Sequence, residues 1–449
     1  MNLLDQIKAA GIVGCGGAGF PTHAKLNCHV EYLIVNAAEC EPLLRTDRYC
    51  MKNRAKDIIR AVEAVGELVQ ASYLYIGLKE TYRDEIISLQ SAINELNSIV
   101  RLYPLRNYYP AGDEQLLVCD VTGRTVPPGG IPLNVGCVVS NLATMVCIYD
   151  AMHDIPFTDK YLTVTGAVKN PIIIKAPLGT PISECIKAAG GATLTDYHIL
   201  IGGPMMGKIY PASEISDLYV SKTTSGVVLV GSDTQLVKSK QLPIENALKQ
   251  AKISCIQCQS CTQMCPRYLT GHSLEPHKIM RAMAYSEDIN ETLKSPCVKE
   301  ALSCSECGLC EVYACPMGLS PRKVNQMLKT QYRNNGIRYE KLYDNYEERE
   351  MRSFRRVNSK RLAMRLGVED YYDYQIDSLE ILSPDTVTIS VAWHIGAPGN
   401  IIVKEGDSVQ KGDVIAQIPD NALGAVTHSS ITGVVKSITN NMITIMKQV

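Results

Sequence analysis

The 449-residue sequence carries almost no net charge, since 45 Lys and Arg residues are balanced by 46 Asp and Glu residues to give a formal charge of -1. It therefore has no basic field that would attract nucleic acid and no acidic tail that would attract a basic partner. We predict no nucleic-acid partner. Electrostatics alone nominate no other macromolecular partner.

Long apolar runs are also missing. No uninterrupted apolar stretch reaches the roughly 18 residues of a membrane span, and the first eight residues lack the charged-then-apolar layout of a signal peptide. Seventeen cysteines suit a reducing compartment better than a secreted one. We therefore expect a cytoplasmic protein without a transmembrane segment. Its composition, 46% apolar and 20% charged, is that of an ordinary soluble chain with about three domains.

Eight of the cysteines form two closely spaced runs, each followed by proline: Cys255, Cys258, Cys261 and Cys265, then Cys304, Cys307, Cys310 and Cys315. The first run has the C-x2-C-x2-C-x3-C-P spacing, in which three thiolates bind one 4Fe-4S cluster and the fourth reaches a neighbouring cluster. We therefore predict two 4Fe-4S clusters with exchanged fourth ligands. Cys315 completes the first set and Cys265 completes the second.

Two other interpretations of these runs are less favourable. Zinc sites usually take their ligands from two C-x2-C pairs, and disulfides are difficult to close across two-residue spacings. The second run has one extra residue before its last cysteine, which leaves the exchanged ligation possible. The spacing favours clusters over both alternatives.

The hydrophobic pattern divides the chain into several parts. Residues 1–155 alternate strands and helices and predict a βαβ-type domain, with strands near residues 30–35, 73–77 and 99–105. Residues 156–235 are β-rich with one helix, as in a small β-grasp module. The remaining parts are a cysteine-bearing helical domain at 236–330, a charged and solvated helical connector at 331–382, and a β-rich module at 383–449.

A glycine loop lies near the start of the chain. Gly14, Gly16 and Gly19 satisfy G-x-G-x-x-G, and Glu39 follows twenty residues later, as in a Rossmann dinucleotide site. However, residues 3–10 predict a helix where a strand should precede the loop, and Pro21 stands where the phosphate-binding helix should begin. We expect an anion cradle of another architecture, to which Lys25 adds charge.

These motifs resemble a known family. The glycine loop through Thr22, Asn-Ala-Ala-Glu-Cys-Glu-Pro at 36–42, Tyr-Pro-Ala-Gly-Asp-Glu at 109–114 and Asn-Leu-Ala-Thr at 141–144 are similar to the FMN- and NADH-binding subunit of respiratory complex I. They are still more similar to the Rnf complex C subunit and to the PduS family, the cobalamin reductases of propanediol-utilisation microcompartments. The resemblance covers essentially the whole chain. The segment at 118–128 and the C-terminal position of the last β module favour the PduS branch.

The resemblance implies a multidomain α/β fold: a complex I flavin-subunit-like domain, an SLBB β-grasp module, a helical two-cluster ferredoxin domain and a C-terminal barrel-sandwich hybrid. The last module resembles lipoyl domains, but no lysine lies between Lys411 and Lys436, where a carrier lysine would be presented. We therefore expect a structural or docking role for it.

The resemblance also implies FMN, two 4Fe-4S clusters and NADH as substrate. A flavin suits this combination because NADH gives up two electrons together, whereas a cluster accepts one at a time. Glu39 and Glu41 would line the reacting region as catalytic residues. The implied cofactor-binding residues are Gly14, Gly16, Gly17, Gly19, Lys25, Asn36, Glu39, Gly112, Glu114, Asn141 and Thr144. Ala38 and Ala143 replace acidic residues of complex I, which weakens the transfer of details from that protein.

The acceptor rests on the resemblance alone, because no residue pattern selects a corrin. The family implies cob(II)alamin, with a cobalamin or an adenosyltransferase as electron-accepting partner, a microcompartment shell protein as a further partner, and a location inside a bacterial microcompartment. Two alternatives stay open: the NADH-facing subunit of an Rnf-like electron-transfer complex, and a non-catalytic microcompartment docking protein.

Overall fold

The computed structural model describes residues 2–17, 19–340 and 346–448. The N-terminal part contains a four-stranded sheet of order β3-β2-β1-β4 in which every pairing is parallel. Its strands are β1 (Tyr32–Asn36), β2 (Tyr73–Lys79), β3 (Arg101–Leu105) and β4 (Cys137–Asn141). Its helices are α1 (Leu3–Ala9), α2 (Thr22–Lys25), α3 (Thr46–Asn53), α4 (Ala55–Leu68), α5 (Arg83–Leu96), α6 (Glu114–Thr122) and α7 (Leu142–Ala151).

Local sequence explains these elements. The centre of β1 is a continuous apolar run buried on both faces, as expected for a strand inside a parallel sheet. In α4, Ile58, Val62 and Val65 recur at helical spacing and form a buried face. A helix, α1, precedes the glycine loop, as the periodicity predicts, so the loop does not follow a Rossmann strand.

The second part is a mixed six-stranded sheet of order β10-β6-β5-β9-β7-β8. Its elements are β5 (Asp159–Gly166), β6 (Ile172–Pro177), α8 (Ile182–Ala188), β7 (Tyr197–Ile201), β8 (Lys208–Pro211), β9 (Gly226–Gly231) and β10 (Leu379–Ile381). The helix α8 buries Ile182, Cys185 and Ile186 in the core of this part. The edge strand β10 comes from much later in the chain and pairs with β6 in parallel.

The cysteine-bearing part is helical. It consists of α9 (Gln235–Gln241), α10 (Ile244–Ser254), α11 (Ser260–Gln263), α12 (Pro266–Leu269), α13 (Pro276–Tyr285), α14 (Ile289–Leu293), α15 (Pro296–Lys299) and α16 (Pro321–Asn334). Ala251 of α10, Ile279 of α13 and Leu328 of α16 share one buried core. The cysteine runs lie in the loops and short helices on the side of this core.

The connector was predicted to be solvated, and this is wrong for much of its described length. Arg352 is only 6% exposed, and its guanidinium donates to Asp120 Oδ1 of α6 at 2.8 Å. A helix, α17 (Ser359–Leu366), buries Leu362 and Leu366 against the rest of the molecule. The charged residues therefore form specific ion pairs with a partner more than 200 positions upstream. Residues 341–345 of the connector lie outside the described residues.

The C-terminal part packs two small sheets, β11-β17-β16-β13 and β12-β14-β15, around a core that includes Val387, Ile415 and Ile443. The strands are β11 (Thr386–Ser390), β12 (Asn400–Ile401), β13 (Ser408–Val409), β14 (Val414–Gln417), β15 (Thr427–His428), β16 (Gly433–Thr439) and β17 (Met442–Met446). Across the three described stretches of the chain, no helix combines the length and the apolar character needed to cross a bilayer.

Candidate functional site

Two asparagines mark the site at the edge of the parallel sheet. Asn36 ends β1 and Asn141 ends β4, and the register of these neighbouring strands sets the two residues side by side. Asn36 Nδ2 donates to the carbonyl of Gly112 at 2.7 Å, and Asn141 Oδ1 caps α7 by accepting from the Ala143 amide at 3.0 Å. Ligands of open α/β sheets bind outside the carboxyl ends of the strands. The predicted residues Asn36 and Asn141 therefore lie where a ligand is expected.

The glycine loop covers this edge. The Gly14 amide donates to the carbonyl of Phe20 at 2.9 Å, which closes the loop, and the Cys15 amide donates to Thr144 Oγ1 at 3.0 Å, which ties it to α7. A Cβ on Gly16 would lie 3.3 Å from Asn141 Cβ. At the tip, Gly17 is exposed and has φ +115, a conformation that favours glycine. An exposed glycine backbone beside a helix start fits a phosphate group. Ala18 lies outside the described residues.

The opposite side of the site comes from α2 and the start of α6. Lys25 Nζ donates to Glu114 Oε1 at 2.6 Å, and both side chains are partly exposed. Beside them, a Cβ on Gly112 would come within 2.7 Å of Cys40 Sγ, so only glycine allows this close approach of two loops. The structure thus brings Lys25, Asn36, Gly112 and Glu114 together at one mouth.

A pair of carboxyl groups lies beneath the loop. Glu39 accepts from the amides of Asp47 and Arg48, at 2.9 and 3.4 Å, where α3 begins. Asp47 is 8% exposed, and Asn141 Nδ2 donates to its Oδ2 at 3.2 Å. Burial, reinforced by the nearby Glu39 carboxylate, raises the pKa of Asp47 to about 8, and burial also raises the pKa of Glu39. Sequence reasoning missed Asp47, because only the fold brings it to Asn141.

Glu41 faces a different partner. Its two carboxylate oxygens accept the backbone amides of Met205 and Met206 at 2.8 and 2.7 Å. These amides belong to the glycine-rich turn at residues 202–207 between β7 and β8. Burial raises the pKa of Glu41, whereas the two amides lower it. Glu41 therefore joins the flavin-type domain to the β-grasp part.

The first three cysteines of run one share a cavity with the last cysteine of run two. Cys255, Cys258, Cys261 and Cys315 all line it. Gln257 and Gln259 have positive φ values of 55 and 65, so the chain curls around the space between the thiols. Amide groups point at sulfur, since Gln257 Nε2 lies 3.1 Å from Cys255 Sγ and the Leu319 amide lies 3.4 Å from Cys315 Sγ. Such donors suit sulfur atoms that carry negative charge in a cluster.

The remaining four cysteines form a second group. Cys265 interacts electrostatically with Cys304 and Cys307, and Cys310 interacts with all three. Glu306 has φ 61, and its amide lies 3.3 Å from Cys304 Sγ. The structure thus exchanges Cys265 and Cys315 between the two runs. Their role as cluster ligands remains a prediction, and the donor set fits two cubanes.

A buried ion pair joins the second cysteine group to the flavin-type domain. Arg267 Nη1 and Nη2 donate to Asp113 Oδ1 and Oδ2 at 2.6 and 2.8 Å, and the two side chains are 9% and 13% exposed. Nearby, Tyr109 Oη donates to the carbonyl of Cys307 at 2.8 Å. Asp113 stands between the predicted residues Gly112 and Glu114, and Arg267 lies two residues after Cys265. Neither residue was singled out from the sequence.

The C-terminal part contacts the glycine loop. The Ile395 amide donates to the carbonyl of Gly19 at 2.9 Å. Lys222 Nζ, which is buried, donates to the carbonyls of Gly11 and Val426, both at 2.8 Å. The predicted structural role of this module agrees with these contacts. No motif in the sequence indicates them.

Comparison with known proteins identifies each part. Family models match the Nuo51 FMN-binding domain at residues 7–150, the SLBB domain at 161–208, the 4Fe-4S dicluster domain at 254–320 and the RnfC barrel sandwich hybrid domain at 373–449. Two cobalamin reductases PduS align over 99% of this chain and 96% of their own length, at 40% identity for Citrobacter freundii and 39% for Salmonella typhimurium. The RnfC-type component of the Na+-translocating ferredoxin:NAD+ oxidoreductase complex of Acetobacterium woodii is 34% identical over 59% of this chain and 58% of its own.

The FMN-binding and dicluster domains define an iron-sulfur flavoprotein oxidoreductase. This confirms the predicted multidomain α/β fold, the enzyme class, and FMN and 4Fe-4S clusters as cofactors. At 40% identity over nearly its whole length, the chain belongs to the cobalamin reductase PduS family.

Proposed function

We propose that the protein oxidises NADH and delivers single electrons to a corrin acceptor, cob(II)alamin. The bound FMN supplies the chemistry that turns a two-electron donor into one-electron steps, and the clusters carry those electrons. The observation that supports this most directly is the chain of contacts from Gly112 through Asp113 and Arg267 to Cys265, which joins the proposed flavin pocket to the nearer cysteine group.

The two cysteine groups differ in their position, and this supports an order of use. The group of Cys265, Cys304, Cys307 and Cys310 lies beside Tyr109 and Asp113 of the flavin-type domain. In the other group Cys258 is exposed, and its neighbour Ile256 is 61% exposed. We assign the inner group to reduction from the flavin side and the outer group to delivery to the acceptor.

The residues of the flavin pocket have separable roles in this proposal. Gly14, Gly16, Gly17 and Gly19 with Lys25 would hold the phosphate, while Asn36, Gly112, Glu114, Asn141 and Thr144 would shape the pocket. Glu39 stays a candidate catalytic residue on the side of Asp47. Glu41 has both oxygens occupied by amides, so we propose that it positions the turn at residues 202–207 instead of moving a proton.

The acceptor is the least constrained element. Its support is the similarity over the full chain to proteins named cobalamin reductase. The similarity to an RnfC-type component supports a second candidate, in which a partner protein takes the electrons. A docking protein without turnover is the third. An adenosyltransferase or shell partner and a microcompartment location remain expectations of the family resemblance.

The test is anaerobic reduction of cob(II)alamin by NADH with the reconstituted protein, followed through the absorbance of the corrin. A one-electron dye serves as the control acceptor. We expect both to be reduced, and the Cys258→Ala variant to lose most of the corrin rate. Reduction of the dye without any reduction of cobalamin would reject the corrin and favour the partner-protein candidate, and failure of both would favour the docking protein.

A further inference from the structure

Two cysteines that are not assigned to any cluster meet beneath the glycine loop. Cys15 lies in the loop and Cys147 lies in α7, and their Sγ atoms are 3.8 Å apart. The Cys15 amide is fixed by Thr144, one turn before Cys147 on the same helix. Two thiols 132 positions apart in sequence are therefore held at the distance from which a small side-chain movement forms a bond.

The surroundings favour a thiolate. The thiol of Cys147 hydrogen-bonds the sulfur of Cys15 and, with the nearby Lys160 ammonium, lowers the pKa of Cys15 to about 6, although burial opposes this. Lys160 and Lys222 are each 3% exposed, and both act on this pair of thiols. The thiolate is the reactive form of cysteine, so near neutral pH the pair contains one nucleophile and one proton donor.

A cavity reaches the pair. It has a volume of about 100 Å³ and is lined by Cys147, Lys160, Tyr161, Asp150 and Arg54, among others. A water molecule occupies roughly 30 Å³ of liquid, so the cavity admits a molecule the size of hydrogen peroxide. Cys50 also lines the cavity, but burial raises its pKa, which keeps it a thiol.

We propose that Cys15 and Cys147 are a reversible dithiol-disulfide pair that is oxidised by hydrogen peroxide, and that the disulfide weakens the hold of the glycine loop on FMN. In the first step the thiolate sulfur attacks the peroxide, an S–O bond forms, the O–O bond breaks and water leaves with a proton of the pair. In the second step the other sulfur attacks the sulfenic acid, the S–S bond forms, the S–O bond breaks and a second water leaves. Two thiols and one peroxide give one disulfide and two waters.

The effect on the loop follows from the change in distance. A disulfide has an S–S length of about 2.05 Å, so the two sulfurs must approach each other from 3.8 Å. Cys15 stands between Gly14 and Gly16, and α7 is packed in the core of its domain, so we expect the loop to move. A dithiol reductant restores the thiols by exchange. The effect on flavin rests on the proposed function, whereas formation of the disulfide does not.

The test uses the reconstituted holoprotein under anaerobic conditions, treated with one to a few equivalents of hydrogen peroxide. Denaturing alkylation and non-reducing peptide mass mapping then identify the partners of each cysteine. We expect a peptide that links Cys15 to Cys147, removed by dithiothreitol and absent from C15S and C147S. The C185S variant is the matched control, because Cys185 is a buried thiol of α8 in the β-grasp core, and it should keep the link. If peroxide is consumed while Cys15 and Cys147 both remain alkylatable, the proposal is wrong.

Free FMN, measured by fluorescence after ultrafiltration, tests the second half. We expect peroxide to weaken FMN binding about tenfold in the wild-type protein and in C185S, and to leave it unchanged in C147S. Since all three carry the same clusters, cluster damage by peroxide affects them equally. A linked protein that retains its flavin would overturn the coupling between the disulfide and FMN. A reduced protein that never binds FMN would overturn the proposed function while the disulfide result stands.

Discussion

Asp113 has two roles at one position. Its Oδ1 caps α6 by accepting from the amides of Gln115 and Leu116 at 3.0 and 3.3 Å, and both its oxygens accept from Arg267. A helix cap and a bidentate guanidinium pair each fix the orientation of a carboxylate. Together they fix the short segment between the proposed flavin pocket and Cys265.

Removing Arg267 would leave this carboxylate nearly buried and without its cation. We expect Arg267→Met to cost about 3–5 kcal/mol of stability, as is usual when one partner of a buried pair is lost. The shift of the urea unfolding midpoint of the holoprotein measures the loss. Lys294→Met is the control, since Lys294 and Glu291 form an exposed pair, 70% and 67% exposed, worth about 1 kcal/mol or less. Equal shifts in both variants would contradict the account.

Asp47 gives the protein a pH dependence. Its folded-state pKa of about 8 lies above the ordinary value of 3.8, so the folded state holds a proton that the unfolded state has released. Between about pH 4 and pH 8 this group therefore makes stability fall as pH rises. Asp47→Asn should be more stable than the wild type at pH 8, with a smaller difference at pH 5, in thermal unfolding midpoints. A variant whose advantage is the same at both pH values would refute the assignment.

At the scale of elements, the turn at residues 202–207 depends on a single side chain. Glu41 accepts two backbone amides there, but a glutamine has one acceptor oxygen and one amide nitrogen. We expect Glu41→Gln to leave one amide unsatisfied, to cost about 1–3 kcal/mol, and to accelerate hydrogen exchange at Met205 or Met206. Glu214→Gln, at an exposed glutamate of the β-grasp part, is the control. Unchanged exchange in Glu41→Gln would show that the clamp is dispensable.

Periodicity predicted the individual elements well where their burial is local. The helix expected at residues 80–96 is observed at Arg83–Leu96, and the strand expected at 73–77 at Tyr73–Lys79. The connector failed because charge density was taken to indicate solvent. The partner of Arg352 is Asp120, which becomes a neighbour only in the folded molecule. No local pattern distinguishes a solvated arginine from one that pairs across domains.

At the scale of the whole molecule, motifs predicted the parts and their order, but not how they meet. Arg267 reads as an ordinary charge after a cysteine run, and Asp47 as a helix residue, until the fold gives them Asp113 and Asn141. Cysteine spacing carried the cluster prediction because the ligands of a cubane lie close in sequence. The contacts between parts had no such signal.

The position of the two cysteine groups predicts different outcomes for their loss. Cys307→Ala should block electron flow beyond the flavin, because Cys307 belongs to the inner group. Cys258→Ala should leave the inner cluster reducible by NADH and abolish delivery to the acceptor. Cys297→Ser is the control, since this thiol lies between the runs and outside both groups. Electron paramagnetic resonance of samples frozen after NADH addition separates the cases, and an inner cluster that stays oxidised in Cys258→Ala would reverse the proposed order.

The most direct test of the central claim is an anaerobic NADH titration of the reconstituted protein, with flavin absorbance and cluster paramagnetic resonance followed together. The account predicts bleaching of the flavin and the appearance of reduced 4Fe-4S signals as NADH is added. Intact clusters with no bound flavin and no response to NADH would contradict it, because the glycine loop would then not form the electron entry site.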